Sequence, residues 1–296
     1  MALSTIQNNS FANTAVHGFR NLLVNGGLIV SQRGDYTSAN SYTNDYYYLD
    51  RWKMWVGSVT GTFQQTTVTI DGVTKKAMRI AATSSGTGYI GTRQPIELQN
   101  IPVGVNLVAS CWVRSNNANT RLRANDLGGA DSNGPDLTND GNWEKVSWSI
   151  DSSGTTVNPT IGIIAFSDAG PVSVTSGDYI EFTDFQLEIS SGSPTPFEHR
   201  SYEDELRRCQ RYYFDATTSN LKPYIYPKKY VPGYRWSDVF YPVPMRATPT
   251  VTLTKDNTGN YVHYYPDQYH WKGYVAVADA STDSHRIFEF KADAEL

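Results

Sequence analysis

Apolar and polar residues alternate along most of the chain with a period of two. Successive side chains of a β-strand point to opposite faces, so this period is typical of strands with one buried face. The clearest segments are residues 105–114, 143–150, 160–166 and 179–189, separated by clusters of glycine, asparagine, serine and aspartate. Many short strands joined by turns of this composition predict an antiparallel β-sandwich.

The same alternation returns in shorter stretches toward the C-terminus. Residues 238–242, 250–254, 274–278 and 286–290 are predicted to be strands on this basis. They indicate a small C-terminal β domain that is separate from the sandwich.

Residues 201–213 have the pattern of a helix instead. Ser201 is a good N-cap, and Asp204 lies three residues later in the capping-box position. Acidic residues fill the first turn and arginines the last, as the helix dipole favours. Four residues recur at helical spacing and are predicted to form the packed face: Tyr202, Leu206, Cys209 and Tyr213.

These patterns divide the chain into four parts. Residues 1–20 are weakly patterned, residues 21–200 hold the sandwich, residues 201–220 hold the helix and a turn-rich joint, and residues 221–296 form the C-terminal domain. The predicted fold class is all-β: a sandwich, one short helix and a small β domain.

Composition narrows the range of functions. Lysine and arginine total 25 against 29 aspartates and glutamates, so the net charge is −4 and no basic excess favours nucleic acid. The N-terminus lacks the features of a secretory signal, and the interrupted apolar stretch at 22–30 is too short to span a bilayer. We therefore expect a soluble protein made in a cytosol, without membrane insertion. Its two cysteines, Cys111 and Cys209, are expected to be buried reduced thiols.

Several local motifs carry a family resemblance. In chain order they are residues 3–18, 21–27 with 32–34, Asp50-Arg51-Trp52, 185–188, 195–200 with 205–206 and 209–213, and 241–249. Together they resemble bacteriophage tail-fibre proteins with a carbohydrate-binding-module-like domain, of the type found in phages of aquatic bacteria and cyanobacteria. The resemblance covers about residues 1–255, and the remaining residues match none of its motifs.

The resemblance implies a jelly-roll fold for residues 21–200 and a homotrimeric fibre. It also implies that residues 1–20 attach to a virion tail or adaptor protein, and that the C-terminal domain faces the host. The protein is then expected in the virion after synthesis in the host cytoplasm, and its expected ligand is a host-surface polysaccharide or lipopolysaccharide.

Aromatic residues are concentrated near the C-terminus of this tyrosine-rich chain. A pyranose offers a face of C–H groups to a flat ring and its hydroxyls to polar side chains, so rings interleaved with polar groups are typical of sugar-binding surfaces. The alternative is that these rings fill a core or a trimer interface, where tyrosine and tryptophan are also enriched. The candidate glycan-binding residues are Tyr261, His263, Tyr264, Tyr265, Asp267, Tyr269 and Trp271.

Other features favour structural roles. Trp52, Trp112 and Trp148 are predicted to lie in the core. The acidic loop 126–140 could hold a structural calcium ion, but its spacing fits no EF-hand loop and a solvated loop is favoured, so no metal or cofactor is predicted.

No catalytic set is readable. Asp267 and His270 have the Asp-x-x-His spacing of some esterases, but no serine nucleophile motif precedes them. Together with the family resemblance, which implies a tail fibre that binds host glycan during adsorption, this favours a non-enzymatic protein. The alternative is a purely structural fibre, collar or decoration protein of the virion.

Overall fold

The structure is a computed structural model that describes residues 20–129, 131–190, 192–216, 233–255, 261–277 and 287–295. For residues 233–237, 254–255, 261–264, 274–277 and 287–289 it describes the backbone alone. The chain divides after Arg200 into two compact units. The predicted attachment arm, apart from Arg20, lies outside the described residues. No helix in the described part of the chain is long and apolar enough to cross a membrane.

The first unit is a sandwich of two antiparallel sheets. The six-stranded sheet is formed by the first, third, fourth, seventh, tenth and thirteenth strands, and the five-stranded sheet by the second, sixth, eighth, ninth and eleventh. The fifth and twelfth strands form a separate pair. The strands are β1 Asn40–Ser41, β2 Lys53–Met54, β3 Gly61–Ile70, β4 Val73–Ala82, β5 Gly86–Gly88, β6 Gly91–Pro95, β7 Asn106–Ser115, β8 Thr120–Asn125, β9 Ser132–Asp136, β10 Glu144–Asp151, β11 Thr160–Ala165, β12 Val172–Val174 and β13 Tyr179–Ile189, with short 3₁₀ helices at Leu98–Asn100 and Ser152–Gly154.

This architecture confirms the predicted antiparallel jelly-roll sandwich. Between β4 and β13 the chain passes repeatedly from one large sheet to the other, as it does in jelly rolls. The four strands predicted from the clearest alternation are β7, β10, β11 and β13, and their bounds differ from the predicted ones by at most one residue at either end. The alternation is clear there because one face of each strand packs between the sheets.

The core between the sheets is centred on Trp52, which is fully buried as predicted. Its ring lies 5.0 Å from that of Phe182 and 5.4 Å from that of Phe185, and its indole N–H donates to the Asn25 carbonyl at 2.9 Å. Burying an aromatic side chain of this size contributes on the order of 2–3 kcal/mol to stability. Trp52 therefore belongs to the framework of the fold.

The prediction that Trp112 lies in this core is wrong. Trp112 follows Cys111, whose side chain does face the core, so the alternation of β7 places the tryptophan on the opposite face of the sheet. There it packs, partly buried, with Val68 and Ile70. Trp148 is also partly buried, and it packs against the main core from the edge strand β10.

The motifs that open and close the first unit meet in space. The Leu22 N–H donates to the Leu187 carbonyl at 2.8 Å, and Asn21 and Arg20 donate their backbone N–H groups to the Glu198 carboxylate at 2.9 and 3.1 Å. The Arg200 guanidinium lies 2.9 Å from the same carboxylate. Burial would raise the pKa of Glu198, but the two N–H donors and Arg200 hold it below its ordinary value.

The second unit begins with helix α1, Tyr202–Gln210. The Ser201 hydroxyl accepts a hydrogen bond from the Asp204 N–H at 3.2 Å and donates one to its carboxylate at 2.8 Å, which confirms the predicted cap. The prediction that Tyr202 packs inward is wrong: its side chain is 52% exposed, and the other residues of 201–204 are exposed as well. The buried positions are Glu205, Cys209 and Gln210.

Two three-stranded antiparallel sheets complete the second unit. One has the order β14-β19-β16 and the other β15-β18-β17. Phe214, Phe290 and Met245 are buried in its core. The prediction of a small C-terminal β domain is confirmed as far as the described strands extend, although Tyr261–Pro266 was not predicted to be a strand. The strands are β14 Tyr213–Asp215, β15 Gly233–Phe240, β16 Thr250–Lys255, β17 Tyr261–Pro266, β18 His270–Val277 and β19 Ile287–Asp293.

Both cysteines are buried thiols outside any disulfide, as predicted. Burial raises the pKa of the Cys111 thiol well above its usual range, which keeps it protonated and unreactive.

Candidate functional site

The turn that joins β17 to β18 is organised by Asp267. Its carboxylate accepts hydrogen bonds from the backbone N–H groups of Tyr269 at 2.7 Å and His270 at 2.8 Å. Its own N–H donates to the His270 carbonyl at 3.0 Å, and the His270 Nδ1 lies 3.0 Å from the carboxylate. The bond from the Tyr269 N–H, followed by that from His270, lowers the pKa of Asp267 below its usual range. The aspartate therefore fixes the backbone of Tyr269 at the end of the turn and of His270 at the start of β18.

Strand register places several side chains on one face of the β15-β18-β17 sheet. Phe240 pairs with His270, Asp238 pairs with Lys272, and Lys272 pairs with Tyr265 on its other side. Directly paired residues of antiparallel strands project from the same side of the sheet. We define the outer face as Asp238, Phe240, Tyr265, His270 and Lys272.

The outer face exposes large aromatic rings to solvent. Phe240 is 73% exposed and Tyr265 is 62% exposed, and Tyr269 in the adjacent turn is also 62% exposed. The rings of Phe240 and His270 stack with centroids 5.6 Å apart and planes inclined by 19°. The two stacked rings cover part of one face of each other, while most of the Phe240 side chain stays in contact with solvent.

The opposite face of the same sheet packs in the core of the second unit, and this changes the predicted role of Trp271. Trp271 is 2% exposed, and its ring lies 5.6 Å from that of Phe290 in the core. Since Trp271 lies between His270 and Lys272 in β18, it projects away from the outer face. Trp271 is therefore a core residue of this unit, and the predicted contact with glycan does not hold for it.

The remaining predicted residues fall into two groups. Tyr265, Asp267 and Tyr269 are brought together by the turn and the outer face. The backbone of Tyr261, His263 and Tyr264 forms the first part of β17, but their side chains lie outside the described residues.

Sequence reasoning missed Phe240, the most exposed ring of the outer face. A signal for it was present in the predicted strand at 238–242. Phe240 is two positions from the charged Asp238 and so lies on the same face of the strand, whereas Val239 between them is buried. The period of two therefore indicates that Phe240 faces solvent.

The first unit carries a second polar and aromatic face that no motif predicted. Leu122, Ile161 and Ile163 in the five-stranded sheet are buried between the two sheets. The residues at the positions alternate to these form a row across the sheet on the side away from the core. The paired residues of that row are Lys53, Arg93, Gly162, Arg123 and Asn133. We call this surface the arginine face.

Aromatic rings hold the guanidinium groups of the arginine face. The Arg93 guanidinium carbon lies 4.7 Å from the ring centroid of Trp55. The Arg123 guanidinium lies between Trp55 and Phe166, 5.6 and 4.5 Å from their centroids. Contacts of this kind stabilise by roughly 0.5–2 kcal/mol each, depending on how far they are desolvated. The Nε atoms of Arg93, Arg121 and Arg123 are buried and have no hydrogen-bond partner in the part of the chain that the structure describes.

The carboxylates of the acidic loop 126–140 bind separate partners, two of them arginines, and do not meet at one point. Asp131 lies 3.0 Å from Arg123, and Asp136 lies 2.8 Å from Arg121. Asp126 accepts a hydrogen bond from the Thr156 hydroxyl at 2.7 Å. The described residues contain no group of three His, Cys, Asp or Glu side chains that could hold a metal ion.

Comparisons with known proteins return fold similarities only. No protein-family model matches the chain, and no curated protein matches it. The structure is similar to TmCBM61 in complex with β-1,4-galactotriose, with 18% identity, a TM-score of 0.35 and coverage of 58% of this chain and 100% of that chain. It is similar to the CBM22-2 xylan-binding domain from Paenibacillus barcinonensis, with 14% identity, a TM-score of 0.34 and coverage of 51% and 99%.

A third similar structure is the enzymatically active domain of bacteriophage CBA120 tailspike protein 4. The identity is 12% and the TM-score 0.38, with coverage of 57% of this chain and 21% of that chain. Scores at this level carry no functional argument, so the function rests on the side chains described above.

Proposed function

We propose that this protein is a bacteriophage tail fibre that binds a host-surface glycan and does not cleave it. The observation that carries the proposal is the outer face of the second unit, where Phe240, Tyr265 and the neighbouring Tyr269 hold their rings in solvent. Clusters of exposed rings with a polar margin are a usual mark of a binding surface.

The chemistry of the outer face suits a pyranose. The exposed rings of Phe240 and Tyr265 offer surfaces for the C–H face of a sugar ring. Asp238 and Lys272 supply an acceptor and a donor for hydroxyl groups at its margin. An aromatic contact contributes about 0.5–1.5 kcal/mol and a hydrogen bond a similar amount, so one such face binds weakly.

A fibre compensates for weak single sites by carrying several copies. Linked sites exceed the affinity of one site by about 10²–10⁴-fold where the geometry allows simultaneous contact. The proposal therefore includes the homotrimer, attachment to a virion tail or adaptor protein through residues 1–20, and assembly in the host cytoplasm into the virion. The joining of the opening and closing motifs through Leu22 and Glu198 supports the family resemblance from which these features come.

The rival function is a purely structural fibre, collar or decoration protein. The exposure of Phe240 favours it as well, because a second copy of the chain could cover this ring in a trimer. In that case Tyr265 and Phe240 become inaccessible in the assembled protein, which separates the two functions.

Binding of the intact protein to host cells and to a glycan array tests the proposal. Phe240→Ala and Tyr265→Ala should each lower the apparent affinity about five- to tenfold per site, as expected for losing roughly 1–1.4 kcal/mol. Tyr202→Ala is the matched control, because Tyr202 is also an exposed ring but lies on α1. Equal binding by all four proteins would overturn the site, and absence of any cell or glycan binding would overturn the function. Release of sugar products from host polysaccharide would contradict the non-enzymatic part.

A further inference from the structure

Lys75 and Asp184 form a nearly buried ion pair between two strands of the six-stranded sheet. Lys75 lies in β4 and Asp184 in β13, and the ammonium and carboxylate groups are in direct contact. The Lys75 side chain is 14% exposed and the Asp184 side chain 6% exposed. Neither group has a second hydrogen-bond or ion-pair partner in the part of the chain that the structure describes.

The backbone of β13 directs the Asp184 side chain toward β4. β13 pairs with β4 only as far as Phe182, and its register with β7 shifts after Thr183. In this bulge Asp184 has a φ of 51°, in the left-handed region that few residues other than glycine adopt. The Thr183 hydroxyl donates to the Lys76 carbonyl at 2.6 Å, which keeps the two strands together where their pairing ends. The bulge and this hydrogen bond hold Asp184 beside Lys75.

Apolar side chains lie next to the pair. Val68 is the direct partner of Lys75 in the pairing of β3 with β4, and Ala77 lies two residues further along β4 on the same face. Both are buried and pack with Trp112 of β7. An ion pair in these surroundings loses most of its hydration, and a single contact leaves its other protons and lone pairs unsatisfied. The charged form is therefore costly, whereas an amide in its place has only one N–H and one carbonyl to satisfy.

We propose that Lys75 and Asp184 join through an isopeptide bond. The Lys75 nitrogen attacks the Cγ carbon of Asp184, a C–N bond forms and one C–O bond of the carboxylate breaks. One of the three ammonium protons stays on the amide nitrogen, and the other two leave with the carboxylate oxygen as water. The ion pair therefore contains every atom that the step needs, and contact within one folded chain replaces the encounter of two separate reactants.

No third carboxylate is bonded to the pair among the described residues. Glu181, which lies earlier in the same strand, is engaged by Arg79 and Arg114 instead. The protons are therefore transferred within the pair, and the step lacks the roughly 10²–10⁴-fold acceleration that a separate general acid or base gives. We expect the bond to form slowly in the folded protein and to accumulate with time.

The bond closes a covalent loop that runs from residue 75 to residue 184 and includes strands β5 to β12. A cross-link restricts the unfolded chain, and the effect grows with the length of the loop that it closes. It also joins β13 permanently to the hairpin of β3 and β4, at the point where the hydrogen bonds between β4 and β13 end. The cross-linked sandwich should therefore melt at a higher temperature than the same chain without the bond.

Mass spectrometry of the denatured full-length protein tests the proposal. Samples are measured directly after purification and again after several days of storage in the folded state. The wild type should develop a species that is lighter than the sequence mass by one water molecule. Its tryptic digest should contain a branched peptide that joins the segment around Lys75 to the segment around Asp184. A wild type that keeps its full sequence mass at both times, without a branched peptide, overturns the proposal.

Two lysine variants distinguish this bond from other losses of water, such as a succinimide at an Asp-Gly sequence. Lys75→Arg keeps a cation beside Asp184 but removes the nucleophilic amine, so it should fold and retain its sequence mass. Lys76→Arg is the matched control, because Lys76 donates to the Thr67 hydroxyl instead, and it should lose water as the wild type does. Loss of water in Lys75→Arg, with no branched peptide in the wild type, would assign the loss to another site and overturn the proposal.

The isopeptide bond is independent of the proposed receptor function. It lies in the first unit, whereas Phe240 and Tyr265 belong to the second. Glycan binding by a protein that keeps its sequence mass would contradict the bond alone, and a branched peptide in a protein that binds no cells or glycans would contradict the receptor function alone.

Discussion

Replacement of Trp271 by alanine should destabilise the second unit and thereby distinguish a core residue from a ligand contact. The side chain is almost fully buried and packs edge-on against Phe290. Truncating a buried tryptophan costs about 3–5 kcal/mol through lost burial and the cavity that remains. The indole N–H has no partner among the described residues, so its removal offsets part of this cost. We therefore expect a loss of about 3 kcal/mol, near the lower end of that range.

Differential scanning calorimetry measures this effect without using tryptophan as the probe. A loss of about 3 kcal/mol lowers the Tm of a unit of this size by roughly 12–24 °C. Tyr265→Ala, on the solvent side of the same sheet, should change stability by no more than about 0.5 kcal/mol. If Trp271→Ala leaves the melting of the second unit unchanged and abolishes glycan binding, the assignment of Trp271 to the core is refuted.

A second substitution tests the packing directly. A Cβ atom at Gly273 would overlap the Trp271 ring, so Gly273→Ala should cost about 1–3 kcal/mol in the wild-type background. In the Trp271→Ala background the overlap is gone, and the two changes should show a coupling of at least about 1 kcal/mol. Additive effects would show that the two residues do not contact each other as described.

Two further predictions concern pH. The hydrogen bonds to Asp267 lower its pKa, so they stabilise the turn at pH values above the unfolded-state pKa near 4. This stabilisation is lost as the pH falls through the lower pKa of the folded state. The amide chemical shifts of Tyr269 and His270 should change with this titration, and Asp267→Asn should abolish the change. The lowered pKa of Glu198 likewise stabilises the first unit above the unfolded-state value near 4.3. Glu198→Gln should cost about 1–3 kcal/mol at pH 7, with a smaller difference near pH 3, and a difference independent of pH would contradict the role of the charge.

The strands of the sandwich were predictable where a strand packs one face in the core and leaves the other for polar residues. The hairpin of β3 and β4 was not predicted, because Gln64, Gln65 and Thr66 interrupt the alternation. A turn signal was nonetheless present: Asp71 and Gly72 both have positive φ, 50° and 78°, as a two-residue hairpin turn requires. The dipeptide Asp-Gly between apolar residues would have located this hairpin.

The aromatic concentration near the C-terminus was also predictable, but not which rings are exposed. Trp271 and His270 are adjacent in the sequence, and only the pairing of β15 with β18 determines that one packs inward and the other lies beside Phe240. That pairing joins residues about thirty positions apart, and a shift of one residue would exchange the two faces. A count of aromatic residues in a segment therefore predicts that an aromatic surface exists, but it does not show which of the rings lie on that surface.

If the arginine face takes part in the proposed glycan binding, its paired charges favour a neutral saccharide over an anionic one. Every guanidinium of the arginine face already has a carboxylate partner, including Asp45 for Arg93 and Asp131 for Arg123. An anionic sugar would have to displace these partners, whereas the hydroxyls of a neutral sugar can bond to the free lone pairs and N–H groups of the existing pairs.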